Sequence, residues 1–493
     1  MRPKITIIGA GPGGLTSGIL LQKRGFDVTI YEKNSRPGGR NQAIKLGDYT
    51  FDTGPTFLMM KNFLDEIFSE TGRDINDYLE FYDLEPLYTM TFNDKVITHY
   101  KNRTKMKAEI EQHFPGESVG YERLMMIEKK RYRRLYPCLQ RDYSSPKRML
   151  EPETLYALPY LQLHKTMHQA LGSYFQSEDL KIAFTSQAKY FGMSPWSCPA
   201  LFTMITYLEH EYGLFHVKGG LNQIPQAMAN ILVEEGGKIV YDTTVKELIT
   251  NFGEALGVVL NNGEKIYSED VLINSDFAYT FSDLYKDSKK WPPNKLKAMD
   301  YSCSTFMLYL GLDKIYDLPH HSIYLADDYK ANVDDINVYR RVRNDFSIYI
   351  QNASITDPTL APEGHSSLYV LVPITNLKSG INWDTFKRTF RQNVIEALKI
   401  RVGIDDVEAH IKEEKIITPK DWLIDYNLLF GATFSLSHGV NQMLYYRPHN
   451  RFEELENCYL VGGGTHPGSS LPSIYESGRI SAKMICKKHG IKY

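Results

Sequence analysis

An α/β architecture, in which a Rossmann-like nucleotide-binding domain is interrupted by other segments, is predicted by three stretches of this 493-residue chain. In the first, Lys4 to Ile8 reads as a strand entering Gly9-Ala10-Gly11-Pro12-Gly13-Gly14, and Asp27 to Glu32 reads as a second strand ending in an acid. The second, Gly38-Gly39-Arg40, follows one loop later. The third, Cys458 to Leu460, runs through Val461 into a turn rich in glycine, Gly462 to Gly468, before a helix carrying Glu476 and Arg479. Glycines spaced as at Gly9, Gly11 and Gly14 let backbone N–H groups and a helix N-terminus approach a pyrophosphate. An acid about twenty residues further on accepts hydrogen bonds from a ribose.

Taken in order, the chain opens as strand, helix (Gly14 to about Gly25), strand and glycine loop, followed by Phe51-Asp52-Thr-Gly54-Pro55-Thr56. From about Lys105 to Tyr212 the texture is helical and rich in Tyr, Met, Leu and Phe. Gly219-Gly220 then precedes a helix over Leu221 to about Glu235, with strands expected at Lys238–Val245 and Glu254–Leu260 and a hairpin turn at Asn261-Asn262-Gly263. Strands such as Thr305–Leu310 and Ser367–Pro373 predict a β-rich layer covered by a helix over about Trp383 to Val402. The expected division is a discontinuous nucleotide domain (1–95, 213–290 and 420–493), a helical region (96–212) and a β-rich substrate domain (291–419), in keeping with a length beyond one hydrophobic core.

Lys+Arg 57 against Asp+Glu 59 leaves a formal charge of -2, which offers no electrostatic footprint for nucleic acid. The five cysteines, Cys138, Cys198, Cys303, Cys458 and Cys486, show neither a C-x-x-C nor a disulfide framework, which fits a reducing cytoplasmic setting. No secretory signal and no apolar run of membrane-spanning length are apparent, so the expectation is a cytoplasmic protein that does not cross a membrane, which leaves peripheral association with one open.

A nicotinamide cofactor would account for the first glycine motif alone. FAD, lying extended, also accounts for Gly38-Gly39-Arg40 and the C-terminal turn, taking its pyrophosphate at Gly9–Gly14, its ribose at Glu32 and its flavin end at the second turn. Arg40 then supplies positive charge to phosphate or flavin oxygens, the alternative being a surface ion pair. There is no second complete glycine motif for NAD(P)H and no redox cysteine pair. The flavin is therefore expected to take a hydride from an organic substrate and to pass electrons to an acceptor such as oxygen or a quinone.

Gly9-x-Gly11-x-x-Gly14, Glu32, Gly38-Gly39-Arg40, Phe51-Asp52-x-Gly54-Pro55-Thr56 and Thr465-His466-Pro467-Gly468 together resemble the bacterial phytoene desaturase family of FAD-dependent carotenoid enzymes, over almost the whole chain. Tyr301 to Tyr309, Leu360 to Pro373 and Tyr445 to Pro448 look closest to its dehydrosqualene (4,4'-diapophytoene) desaturase branch. The resemblance implies an α/β fold: a Rossmann-like FAD-binding domain interrupted by a mixed β-sheet/helical substrate and membrane-associating region. It implies that FAD contacts Gly9, Ala10, Gly11, Pro12, Gly13, Gly14, Glu32, Lys33, Gly38, Gly39, Arg40, Pro55 and Thr56. The same holds for Val245 beside the adenine and for Gly464, Thr465, His466, Pro467, Gly468, Leu471 and Pro472. One departure is plain: Ser470 and Ser473 stand where the family has glycines.

The implied reaction is carotenoid desaturation on dehydrosqualene or phytoene, with a hydride passing to the flavin and a proton leaving the neighbouring carbon. His466 is a candidate for that proton, with hydrogen bonding to backbone or flavin oxygens as the alternative. His164 and His168, spaced i, i+4, lack a clear third ligand, and no metal is expected. A polyene isoprenoid must be drawn from lipid. Leu124–Ile127 beside the basic run Lys129, Lys130, Arg131, Arg133 and Arg134 suits an anionic bilayer surface, or else an ordinary solvated helix face. Tyr156 to Phe215 suits either a core or a long apolar tunnel. Competing readings are a terminal methyl oxidase or saturase of the same fold, a non-catalytic prenyl-lipid-binding flavoprotein, and an amine oxidase.

Overall fold

The computed structural model describes residues 2–92 and 94–493. Five parallel strands form one sheet in the order Lys238–Val240, Asp27–Tyr31, Lys4–Ile8, Asp270–Ile273 and Cys458–Leu460. Lys4–Ile8 and Asp270–Ile273 are short β-branched and apolar runs, the pattern of strands covered on both faces. Ile8 lies opposite both Tyr31 and Ile273, so the carboxyl ends of three strands finish level and present Gly9, Glu32 and Asn274 on one rim. The helices Pro12–Lys23, Gln223–Glu234 and Leu471–Lys488 pack together on one face. The first starts two residues before the predicted Gly14 because Pro12 occupies its first turn, where a missing N–H costs nothing. Its Ser17 Oγ donates to Gly478 O of the last helix at 2.9 Å, a close approach that a side chain at Gly478 would block.

The strand expected over Lys238–Val245 is two. It breaks after Val240, where Asp242 turns to φ +50, and Val245–Asn251 begins a separate three-stranded antiparallel sheet with Glu254–Leu260 and Lys265–Tyr267. The hairpin at Asn261–Gly263 is present, with Val259 opposite Lys265.

A seven-stranded mixed sheet runs Ile411–Ile417, Ser304–Leu312, Ser366–Ile374, Ile348–Asn352, His321–Tyr324, Tyr88–Phe92, Lys95–His99. Alternation divides its two central strands between two jobs. Phe306, Leu308, Leu310 and Leu312, with Leu368, Val370 and Val372, pack against Phe390, Val394 and Ile395 of the helix Trp383–Ala397, which Leu398–Val402 extends as a wider π turn. Met307, Tyr309, Tyr369 and Leu371 point the other way. The first domain boundary needs correction here. Tyr88–Phe92 and the start of Lys95–His99 fall inside the segment 1–95, yet they extend this second sheet, Met90 lying opposite Ile323.

Between residues 103 and 212 the chain is helical, as expected, with Ser118–Leu139 its longest helix. The basic run on that helix is not one surface. Arg131 is turned inward, where Nη1 bonds Glu128 Oε1 at 2.8 Å and Thr203 Oγ1 at 2.5 Å, while Lys129 reaches Glu211. His164 and His168 also part company. His164 sits in the turn between the helices Pro152–Leu161 and Met167–Leu171, and His168 bonds Glu178 at 2.5 Å, so they share no helix face. Among the described residues no group of His, Cys, Asp and Glu is arranged to hold a metal, and no helix is long and apolar enough to cross a membrane. All five cysteines are buried and free.

Candidate active site

At the carboxyl rim of the parallel sheet lies a cleft of about 170 Å³, walled by Gly9, Gly11, Glu32, Lys33, Gly39, Val245 and Gly464. Gly38, Arg40 and Ile474 form part of this wall and also of a second, larger cavity of about 400 Å³. The two spaces therefore meet at those residues.

The cleft suits a dinucleotide. Gly11 caps the helix Pro12–Lys23 without any side-chain hydrogen bond, which leaves first-turn N–H groups for an anion. A Cβ on Gly14 would run into the Gly9 carbonyl, so that position admits no side chain, while one on Gly11 would stand 2.7 Å from Asn274 Nδ2 and push that amide aside. Glu32 is buried at its strand end, where Oε2 accepts from Ala10 N at 2.7 Å and Oε1 from Asn34 N at 2.9 Å. Burial pushes its carboxyl above the usual range, and these backbone N–H groups pull against that shift. Lys33 Nζ bonds Asp425 O at 2.7 Å on the opposite wall. Ala10, Gly13, Gly14 and Thr465 stand behind the cleft rather than on it: Gly13 packs against Val461, and Thr465 Oγ1 pins the C-terminal turn by donating to Gly462 O at 2.9 Å.

Where the two spaces join, Arg40 Nη1 donates to Thr433 O at 2.6 Å. It forms no ion pair among the described residues, which sets aside the surface-pair alternative. Burial lowers its guanidinium from the ordinary value and Asp276 opposes that effect. Pro55 and Thr56 face the larger cavity. Their loop is gripped by the inward side chains of the second sheet: Tyr309 OH donates to Thr53 O at 2.6 Å, Tyr369 OH to Gly54 O at 3.0 Å and Gln351 Nε2 to Thr56 O at 3.1 Å. His466, Pro467, Gly468, Leu471 and Pro472 line the far side. Ser470, in place of a family glycine, caps the helix Leu471–Lys488 by accepting from Ser473 N. His466 is buried against the Tyr143 ring, and burial together with Arg447 holds it down to about 3, so it is neutral and a weak proton acceptor.

Beyond Thr56 the larger cavity is walled chiefly by apolar and aromatic side chains, among them Phe57, Met60, Leu135, Phe191 and Ile205. Tyr190 also lines it, and its hydroxyl donates to Glu209 Oε1 at 2.6 Å. Glu209 is fully buried with no cation beside it. Gln187 Nε2 donates to its other oxygen at 2.7 Å, and burial pushes the carboxyl up to about 7.

Sequence reasoning missed Asn274, Tyr190 and Glu209. Asn274 had a faint signal, the apolar run Asp270–Ile273 ending in Asn-Ser-Asp. Glu209 had none, because its partners lie on other elements.

Comparison with known proteins agrees with this geometry. Residues 12–486 match the family described as flavin containing amine oxidoreductase. A 4,4'-diapophytoene desaturase (4,4'-diapolycopene-forming) of Methylomonas sp is 53% identical over 491 residues, covering 99% of this chain and 96% of that protein. An all-trans-zeta-carotene desaturase of Myxococcus xanthus is 34% identical over 99% and 94% of the two chains. An oxidoreductase from Methanosarcina mazei shares the fold at TM-score 0.66 and 16% identity, covering 98% of this chain and all of that one. With a glycine-lined cleft, a buried acid at the strand end and these relatives in agreement, the chain belongs to the flavin containing amine oxidoreductase family, among its FAD-dependent carotenoid desaturases.

Proposed function

We propose that this enzyme desaturates 4,4'-diapophytoene, or the longer phytoene, in carotenoid biosynthesis. The observation that carries the reading is the junction at Gly38, Arg40 and Ile474, where a nucleotide cleft opens into a long apolar cavity. When bound, FAD supplies a hydride acceptor at flavin N5. Gly9, Gly11 and the first-turn N–H groups of the helix Pro12–Lys23 would hold the pyrophosphate, Glu32 the ribose and Val245 the adenine side. Arg40, Pro55, Thr56 and the Gly464–Pro472 turn hold the flavin end. The apolar walls keep water out and align the polyene, which is most of what a delocalised cation requires. Tyr190 and Glu209 take the proton: as a C–H bond of the neighbouring carbon breaks and its electron pair becomes the new double bond, the Tyr190 oxygen gains that proton and passes its own to Glu209 Oε1. A carboxyl held near 7 suits this task better than the neutral His466.

Co-expression with a dehydrosqualene synthase in a colourless host is expected to give pigment whose absorbance moves stepwise to the red. A colourless extract containing flavin-loaded protein would overturn the reading, and aldehyde products would favour methyl oxidation.

An insoluble substrate also requires a lipid contact. Residues 146–163 provide one, with Leu150, Leu155, Tyr156, Leu158 and Leu163 exposed beside Lys147 and Arg148, and Leu161 of the same stretch lining the cavity. The electron acceptor on this reading is oxygen or a quinone.

A further inference from the structure

Besides Arg40 at the junction, the wall of the apolar cavity carries a second cation. Lys189, in the short turn Ser186–Phe191, borders the cavity next to Cys303, Asn332 and Asn337. Its ammonium lies 4.8 Å from the centroid of the Tyr329 ring and makes no hydrogen bond or ion pair with any described residue. Arg401, whose charge also disfavours the protonated form of Lys189, donates to the backbone carbonyls of Phe346 and Leu325 and meets no carboxylate among the described residues. Burial, with Arg401 adding to it, lowers Lys189 to about 7, while Cys303 is pushed up to about 12 and so contributes no negative charge. An ammonium on a largely apolar wall with no anion beside it among the described residues is unfavourable, and contact with an aromatic face offsets only part of that cost. A hydrocarbon gains nothing from such a wall, for which leucine or methionine would serve better.

We propose that Lys189, with Asn332, is a subsite for the terminal carboxylate of a polyene, so that the cavity accepts end-oxidised polyenes as well as hydrocarbons. Asn332 Oδ1 is taken by Ser347, from N at 3.3 Å and Oγ at 3.2 Å, which leaves its Nδ2 as a donor for the ligand. Such an acid arises from complete oxidation of a terminal methyl group. In this cavity it competes with the hydrocarbon for the same apolar walls, so a product formed further along represses its own supply. The choice of a polyene chain rests on the desaturase reading; the choice of a carboxylate rests on Lys189 and Asn332.

Equilibrium dialysis of the FAD-loaded protein with all-trans-retinoate, all-trans-retinol and palmitate tests this. The wild type is expected to bind retinoate about tenfold or more tightly than retinol, and Lys189→Met to bring the two within about twofold. Lys189→Gln, polar and of similar length, gives the same readout should the methionine variant fail to fold, and Lys189→Arg is expected to keep the preference. Equal binding of retinoate and retinol by the wild type, or a preference that survives in the methionine or glutamine variant, would overturn the subsite. Palmitate binding as tightly as retinoate would overturn the polyene chain in favour of acyl carboxylates at large. Because the dialysis needs no turnover, failure of desaturation in the colourless-host assay leaves this ratio intact and is read separately.

Discussion

Glu209 shows how a single buried group sets a pH response. Its folded value of about 7 lies above the ordinary 4.5, so the native state holds this proton more tightly than the unfolded chain does. The contribution is therefore fully present below about 4.5, falls as the pH rises from there to 7, and is level above that; integrated, it is on the order of 3 kcal/mol. Glu209→Gln is expected to remove this slope, and urea midpoints of both proteins at pH 5 and pH 8 measure it. The same variant is expected to slow single-turnover desaturation about 100-fold and to flatten its pH profile near 7, whereas a purely structural role would lower the rate and leave the profile's shape unchanged. At Gly14 a Cβ would strike the Gly9 carbonyl, so Gly14→Ala is expected to purify without flavin, as its visible absorbance would report. The glycine positions were legible in the sequence because their constraint is local: a turn, a helix start and an acid at a strand end. Glu209 and Asn274 were not: Glu209 meets Tyr190 on a separate element with no motif spacing to link them, and Asn274 meets the Gly9 turn from far along the chain.

Among the elements, the strand Ser304–Leu312 is divided most sharply between stability and function. Leu308 is fully buried against the covering helix, and Leu308→Ala is expected to cost about 2–5 kcal/mol in urea unfolding. Its neighbour Met307 faces the cavity, so Met307→Phe is expected to shorten the polyene path and shift products toward fewer double bonds, read by pigment chromatography. Continuous apolar runs made this strand and its partner Ser366–Ile374 visible in sequence, and the helix Trp383–Ala397 was visible as the long segment that covers them. Tyr88–Phe92 was not read as a member of this sheet and was counted within the nucleotide segment 1–95. Its alternating burial is the same whichever partner it pairs with, and the pairing with His321–Tyr324 crosses more than two hundred residues.

For the whole molecule, the surface around 146–163 is the place where lipid access is tested. Replacing Leu150, Leu155 and Tyr156 with Ser is expected to lower sedimentation with anionic vesicles several-fold while flavin content is kept, since these side chains are 71%, 46% and 68% exposed and carry no core packing. Neutralising the basic run at 129–134 is a poorer test, because Arg131 belongs to a buried pair with Glu128 and its loss destabilises the helical region itself. The cofactor block, the helical insertion and the β-rich layer were each legible from composition and period. Their joining was not, because the cavity is made where all three meet and no segment of sequence contains it. That joining also sets an order in time. The parallel sheet takes its strands from residues 4–31, 238–273 and 458–460, and the cleft closes on Ile474. A ribosome must therefore deliver nearly the entire chain before a flavin site exists, so the nascent polypeptide spends its synthesis colourless, with the apolar walls of the future cavity unpaired. Cofactor capture becomes the final event of maturation, and removing the C-terminal helix abolishes it however well the N-terminal glycine turn is preserved.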